Sequence, residues 1–401
     1  MKKVFMVSYG GGHCNIIKSV YERLNKETDI EIEYLALTGA PLQLQKSGIK
    51  HITIEDFAKR LPYYKKIVEY GKLYGTEYHD KNFGIPLNHT ISYYGVGMYD
   101  LINDLGRESA EKQFYEKNRK AFLPVESLVT YLELIKPDVC VVTSSPRMEM
   151  ATGLAAQRLG IPVVRINDLP VTDEIGYPCF LCVMNSWAKQ FAISRKNISE
   201  KSIFITGQPV FEENLKISNQ FIYDVKKRIN SEKYRNVVTF FSENGVNQID
   251  DIKRLISIAK NKKNVLFIIK LHPNQNINTY SFLNDENVIV TKIEAKPFYY
   301  ISDLVITTFS TTGMEAALMG IPLIVVNFEN RTFPLDYTEM GLAITCRKEE
   351  ELEFYIDKLL DNNSFEYRKL KSSQREFEFV KNAAENINEV ILKALEYDIK
   401  H

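Results

Sequence analysis

Short apolar runs alternate with amphipathic segments along almost the whole chain, the pattern of parallel sheets whose crossovers are helices. In the first half the runs are "KVFMVS" (3–8), "IEIEYLAL" (30–37), "DVCVVT" (138–143), "PVVRIN" (162–167), "FLCVM" (180–184) and "SIFIT" (202–206). The 3.6-residue periodicity of 15–25 and 147–159 predicts the clearest helices. "RLGIPVV" and "LMGIPLI" share one grammar, in which a helix ends, a glycine follows and a proline opens a buried strand. The second half restarts the rhythm with "NVVTFFS" (236–242), "NVLFIIKLHP" (264–273), "NVIVT" (287–291), "DLVITT" (303–308) and "PLIVVNF" (322–328). This order of elements predicts an α/β fold of two doubly wound, Rossmann-like domains.

The pattern also places boundaries. The first domain is expected over 1–206 and the second over 221–370, with the polar, aperiodic stretch 207–220 as the hinge. From about 371 to 401 one or two charged helices are expected, the last packing back on the first domain. Residues 49–123 break the rhythm, being rich in aromatics and lysines, as in "KRLPYYKKIVEYGKLYGTEYH". Two readings suit this insertion: a surface for an anionic, lipid-linked partner, or helices whose tyrosines pack on the sheet while their lysines face water.

Composition narrows the class. The chain has 401 residues, 45% hydrophobic and 25% charged, with 51 basic against 51 acidic side chains. A net charge of zero argues against broad electrostatic attraction to nucleic acid. Five cysteines without framework spacing point to a reducing compartment, and "CFLC" (179–182) lacks the second pair a zinc site needs. No apolar window reaches the roughly 18–20 residues of a membrane span. The protein therefore reads as cytoplasmic, with any membrane contact at its surface, on the inner face.

Four loops carry candidate chemistry. In "SYGGGHCN" (8–15) Gly10, Gly11 and Gly12 let backbone approach a ligand where a strand meets a helix N-terminus. His13 opens that helix and suits a general base at neutral pH. The loop is not G-x-G-x-x-G, so a dinucleotide fingerprint is unsupported. In "FSTTGMEAALMGIP" (309–322) Ser310, Thr311 and Thr312 offer a cap and hydroxyls for a phosphate. Glu315 serves there either as the partner of Thr312 in a capping box or as acceptor for the two hydroxyls of a ribose. "IIKLHPNQN" (268–276) ends a strand in His272, placed to donate to a phosphate. "FFSENGVNQID" (240–250) offers Ser242 and Asn244. Strand ends at "TSSPRME" (143–149) and "INDLPVTDE" (166–174) are similar, with Asp168, Asp173 and Glu174 as candidate bases. No P-loop, Ser-His-Asp order or metal-ligand set appears.

On these motifs the chain resembles the GT-B superfamily of nucleotide-sugar enzymes. "SYGGGHCN" is similar to the first loop of the N-acetylglucosaminyltransferase that completes lipid II and of the monogalactosyldiacylglycerol synthases. "ITGQPV" (205–210) resembles their G-x-P-V segment, and "STTGMEAALMGIPLIVV" their donor-site strand, loop and helix. "KLHP" followed by serine and threonine resembles bacterial sialyl-, Kdo- and glycerophosphotransferases instead, whose donors are CMP- or CDP-activated. The resemblance implies two domains facing across a cleft and a metal-independent, inverting displacement with a nucleotide-sugar as co-substrate. It also implies a glycan or lipid-linked acceptor. His13 and Asp168 would be catalytic; Gly11, Gly12, Ser242, Asn244, His272, Ser310, Thr311, Thr312 and Glu315 would bind the donor. A glycosyltransferase is the leading expectation. The alternatives are a CMP/CDP-donor transferase, a hydrolysing UDP-N-acetylhexosamine 2-epimerase, and a non-catalytic nucleotide- or glycan-binding subunit.

Overall fold

The computed structural model describes residues 1–243, 248–280, 285–332 and 335–397. Contacts divide the chain into two compact units, Met1–Glu212 together with the segment from Val380, and Glu213–Phe379.

In the first unit, strands β1 (Lys2–Ser8), β2 (Ile30–Ala36), β3 (Ile52–Thr53), β4 (Val139–Thr143), β5 (Val163–Ile166), β6 (Phe180–Val183) and β7 (Ile203–Ile205) form one sheet. Its order is β3-β2-β1-β4-β5-β6-β7, and every pairing is parallel. Met6 of β1 stands opposite Tyr34 of β2 and Val141 of β4. A parallel sheet covered on both faces needs apolar side chains at successive positions, and β1 shows why. Phe5 and Val7 enter one core with Leu35 and Val142, while Val4 and Met6 enter the other with Tyr34 and Val141.

The aromatic insertion builds the first of these cores. Its helices Tyr64–Gly75, Leu87–Leu105 and Arg107–Lys117 bury Tyr74, Tyr93, Tyr94 and Phe114 in the same cluster as Phe5 and Val7. These tyrosines pack inward, while Tyr78 and Tyr115 are exposed, as are Lys65, Lys66 and Lys72. Two of the helices meet on reciprocal glycines. A Cβ at Gly71 would run into the carbonyl of Ile91, and one at Gly95 into the carbonyl of Ile67.

The stretch expected to be an irregular hinge is largely helical. Helix Pro209–Leu215 begins on a proline, and helix Asn219–Arg228 is capped by the Ser218 hydroxyl, which accepts from Phe221 N at 3.2 Å. Pro at the first helical position and Ser at the cap are start signals that the polar composition hid. Before them, Gly207 adopts φ +84°, and a Cβ there would lie 2.5 Å from Val380 O. The final helix, Ala383–Leu395, buries Ile387, Val390 and Ile391 in the second core beside Val4 and Met6. Glu212 accepts from the amides of Asn382 and Ala383 at its start, and Asn386 Nδ2 donates to Thr206 O at 3.0 Å.

The second unit contains β8 (Asn236–Phe241), β9 (Val265–Lys270), β10 (Val288–Thr291), β11 (Leu304–Thr307), β12 (Leu323–Val326) and β13 (Ile344–Cys346). The order is β10-β9-β8-β11-β12-β13, again parallel throughout. Helices Glu349–Leu360 and Phe365–Glu376 close it. Gln374 Nε2 ties the second of them to Ile321 O at 2.9 Å and Leu342 O at 3.0 Å. The five cysteines are free thiols, and burial pushes Cys140 and Cys182 well above the usual thiol range. Among the described residues no helix is long and apolar enough to cross a membrane.

The glycine contact makes a stability prediction. Gly95→Ala should destabilise the protein by about 2 kcal/mol or more, since a methyl there must displace backbone rather than a side chain. Urea unfolding followed by tyrosine fluorescence measures it, and an unchanged midpoint would refute the reciprocal packing.

Candidate functional site

Three neighbouring strands of the first sheet bring their carboxyl ends to one place. After β1 the chain turns through Gly10, where a Cβ would lie 3.0 Å from the backbone of Gly39 and Ala40, and Gly11 at φ +77°. The amide of Gly11 donates to Gln43 Oε1 at 2.7 Å, and helix Gly12–Leu24 begins at the next residue. That start sets His13 beside the end of β4, with Nδ1 2.7 Å from Thr143 Oγ1. Its Nε2 lies 3.9 Å from Asp168 Oδ2, in the loop after β5. The Ser144 hydroxyl donates to the other oxygen of Asp168, and Gln208 Nε2 holds the Asp168 carbonyl at 3.1 Å.

Behind this group lies Glu149, fully buried on helix Met148–Arg158. One carboxylate oxygen accepts from Tyr9 N at 3.0 Å; the other accepts from Thr143 N at 2.7 Å and Thr143 Oγ1 at 2.5 Å. Burial pushes this carboxyl above the usual range, opposed by His13 and by the hydrogen bonds from Thr143 and Tyr9. Arg147 caps the helix at φ +68°, a conformation costing a non-glycine residue on the order of 1–3 kcal/mol. Its guanidinium lies 4.9 Å over the ring of Tyr9 and meets the Tyr9 hydroxyl at 3.4 Å. That hydroxyl in turn is 2.9 Å from Tyr93 Oη of the aromatic insertion.

The second sheet gathers a comparable group. Glu243, buried just after β8, accepts from Phe309 N at 2.7 Å in the loop after β11. Gln248 Oε1 accepts from Ser242 Oγ at 2.8 Å and Glu243 N at 2.7 Å, while its Nε2 donates to Thr308 Oγ1 at 3.1 Å. Gln275 joins the loop after β9, donating to Glu243 O at 3.0 Å and accepting from His272 N at 2.7 Å. His272 Nδ1 accepts from Asn274 N at 3.2 Å, so the proton of the neutral ring is on Nε2. Lys270 is buried beside it with Nζ 2.6 Å from Leu271 O, and burial pushes its amine below the usual range.

Helix Thr311–Leu318 starts from Ser310, whose Oγ accepts from Thr312 N at 3.4 Å and from the Thr312 hydroxyl at 2.8 Å. Of the three offered caps it is Ser310 that serves, so the alternative of a capping box between Thr312 and Glu315 does not form. Glu315, half-buried, accepts from Tyr299 Oη at 2.5 Å, and burial with that carboxylate raises the Tyr299 hydroxyl well above its ordinary value. Tyr337 Oη donates to Ser310 O at 2.9 Å from beyond β12. On the same edge, a cavity of about 310 Å³ is lined by Thr308, Asn327, Phe328, Arg254 and Arg331.

His13, Asp168, Gly11 and Gly12 therefore meet in the first unit, and Ser242, His272, Ser310, Thr311, Thr312 and Glu315 stand at the carboxyl edge of the second sheet. Asn244 lies outside the described residues, and Asp173 and Glu174 are solvent-exposed. Among the described residues no group of three His, Cys, Asp or Glu side chains could hold a metal ion. Sequence reasoning missed Thr143, Arg147, Glu149, Glu243, Gln248 and Gln275. One signal was available: Glu149 sits in "MEMATGLAA", a helix otherwise apolar or small enough to be buried on most sides.

Comparison with known proteins agrees with this architecture. Residues 167–393 match the family model of CDP-Glycerol:Poly(glycerophosphate) glycerophosphotransferase. No curated relative matches the sequence. Among solved structures, UDP-GlcNAc 2-epimerase from Neisseria meningitidis bound to UDP-GlcNAc is similar at TM-score 0.58 and 16% identity, covering 98% of this chain and 99% of that one. MurG of Acinetobacter baumannii gives 0.57 and 16%, covering 98% and 100%. The glycotransferase of kitacinnamycin gives 0.59 and 12%, covering 98% and 99%. Two parallel sheets with flanking helices give the chain the GT-B fold of these neighbours.

The lacing of the second sheet is testable by itself. Glu243→Ala removes a buried carboxylate that accepts from the half-buried amide of Phe309 and should cost about 1–3 kcal/mol. A calorimetric unfolding transition unmoved by this substitution would contradict the role assigned to Glu243.

Proposed function

The chain belongs to the CDP-glycerol:poly(glycerophosphate) glycerophosphotransferase family and is a nucleotide-donor transferase; on that premise we propose that it moves glycerol phosphate from CDP-glycerol to a hydroxyl of a polymeric or lipid-linked acceptor. The observation that carries the reading is the family match, which spans the whole second unit. Of the donors weighed from the sequence, the CDP-activated one agrees with it, and the His-Pro and serine-threonine motifs at His272 and Ser310 support the same choice.

The site residues divide the work. The acceptor hydroxyl attacks the phosphorus that carries glycerol, its O–P bond forms, and the bridging P–O bond to CMP breaks. His13 takes the hydroxyl proton, and Asp168, 3.9 Å away, stabilises the resulting imidazolium. CMP leaves with its charge held by His272 Nε2–H, by the hydroxyls of Ser310, Thr311 and Thr312, and by the positive end of helix Thr311–Leu318. Ser242 stands beside that group, Glu315 receives the ribose hydroxyls, and the open backbone at Gly11 and Gly12 admits the acceptor. Arg147, clamped over Tyr9, would offer its charge to a phosphate of the acceptor. This arrangement calls on no metal ion.

A lipid-linked acceptor would be met at a surface, and the first unit has a suitable one. Phe83 (68% exposed) and Leu87 (43%) lie where Gly84 meets Leu42 (37%), with Lys46 and Lys81 exposed alongside. We propose that this patch touches an anionic bilayer. Phe83→Ser should lower co-sedimentation with phosphatidylglycerol vesicles several-fold, and equal sedimentation of the two proteins would remove the patch from the proposal.

With CDP-glycerol and a glycerophosphate primer the protein should release CMP, undiminished by EDTA, and His13→Ala should lower kcat by roughly 10²–10⁴. CDP-glycerol should also raise the melting temperature where UDP-GlcNAc does not. Release of UDP from UDP-GlcNAc without an acceptor would instead favour the epimerase reading, and full turnover by His13→Ala would end the catalytic one.

A further inference from the structure

We infer that Glu149, acting through Thr143, fixes the tautomer of His13 so that Nε2 is the nitrogen left to accept the substrate's proton. The inference rests on the reading of His13 as the base and adds a positioning residue that sequence and family leave unassigned.

The argument is one of proton counting. Glu149 is fully buried and accepts three hydrogen bonds, from Tyr9 N, Thr143 N and Thr143 Oγ1. An ionised carboxylate only accepts, and a threonine hydroxyl has a single proton. At 2.5 Å from Glu149 Oε2 that proton is committed to the carboxylate. The same hydroxyl oxygen is 2.7 Å from His13 Nδ1, so toward the ring it can only accept, and Nδ1 must carry the hydrogen. In a neutral imidazole Nε2 then holds the lone pair. Asp168 Oδ2 lies 3.9 Å from Nε2, beyond hydrogen-bond reach but near enough to attract the imidazolium once the proton has moved.

Protonating Glu149 would reverse the chain. The Thr143 hydroxyl would then be free to donate to Nδ1, the ring hydrogen would move to Nε2, and the base would be lost. The groups that bear on Glu149 oppose this change unequally. His13 favours the carboxylate, as do the hydrogen bonds from Thr143 and Tyr9, while burial favours the acid. The hydroxyls of Tyr34, on β2, and Tyr177, before β6, are close enough to sense its charge. Arg147 is turned away, onto the ring of Tyr9.

The test reads the tautomer itself. Two-bond ¹⁵N–¹H correlation of the histidine-labelled full chain, with His13 assigned by its loss in His13→Ala, should show Nδ1 protonated at neutral pH. In Thr143→Val and in Glu149→Gln the Nε2–H form should appear, kcat should fall about tenfold or more, and KM for CDP-glycerol should stay within about threefold. Thr143→Ser, which keeps the hydroxyl, should recover both the tautomer and kcat. Nε2–H in the wild type, or an unaltered tautomer in Thr143→Val, would overturn the inference even if Glu149→Gln failed to fold. The two readings fail separately: an active His13→Ala removes the base, whereas an inactive His13→Ala beside a fully active Thr143→Val removes only the relay.

Discussion

A carboxylate taken out of water must find its hydrogen bonds where it lies, because an uncompensated charge in a protein interior costs several kcal/mol. Each sheet of this protein has one such group at its carboxyl edge. Glu149, just after β4, holds the amide of Tyr9 at the end of β1. Glu243, just after β8, holds the amide of Phe309 beyond β11. The strands so joined are immediate neighbours, β1 with β4 and β8 with β11. In both units, then, a buried acid's need for backbone donors ties neighbouring strand ends together, at the loop before His13 in one and the loop before Ser310 in the other.

Strand order explains why those donors are within reach. In both sheets the first strand in sequence stands where the order reverses, between β2 and β4 in one and between β9 and β11 in the other. Loops diverge at such a point and leave room for a ligand at the carboxyl ends. The order of the first sheet also brings β4 alongside β1 and β5 next to β4, so His13 meets Thr143 and Asp168 across long separations in sequence. Packing alone would leave these loops adjustable. The buried acids remove that freedom, and the aromatic insertion adds to the effect by carrying Tyr93 to the hydroxyl of Tyr9.

Much of this was legible in the chain, for identifiable reasons. Strands buried on both faces write themselves as unbroken apolar runs, and histidines at strand ends stand out against them. Glu149 and Glu243 were not legible, because an acidic residue in the first turn of a helix, as Glu149 is, reads by default as a solvated complement to the helix dipole, and one in a loop, as Glu243 is, reads as exposed. Only the neighbouring strands show that these two are enclosed. Ser310 could not be singled out as the cap because three consecutive hydroxyl residues fit the same signature. Helix Pro209–Leu215 was read as linker because its sequence lacks an apolar period.

The same donor machinery would serve attack at an anomeric carbon as well as attack at phosphorus, since both need a base, a positive field at the leaving phosphate and hydroxyls to hold it. Site geometry therefore supports nucleotide-donor transfer in general, and it is family membership that points to CDP-glycerol. What the geometry adds to the proposal is a difference in protonation between two histidines. The ring of His272 accepts a backbone N–H on Nδ1, which leaves hydrogen on Nε2 and makes it a donor suited to a leaving phosphate. The ring of His13 faces a hydroxyl whose only proton is held by Glu149, which puts hydrogen on Nδ1 and leaves Nε2 an acceptor suited to a nucleophile's proton. On the proposed mechanism one side-chain type would fill two opposite roles at the same pH, because its immediate neighbours, an amide in one unit and a carboxylate-bound hydroxyl in the other, decide which nitrogen is protonated.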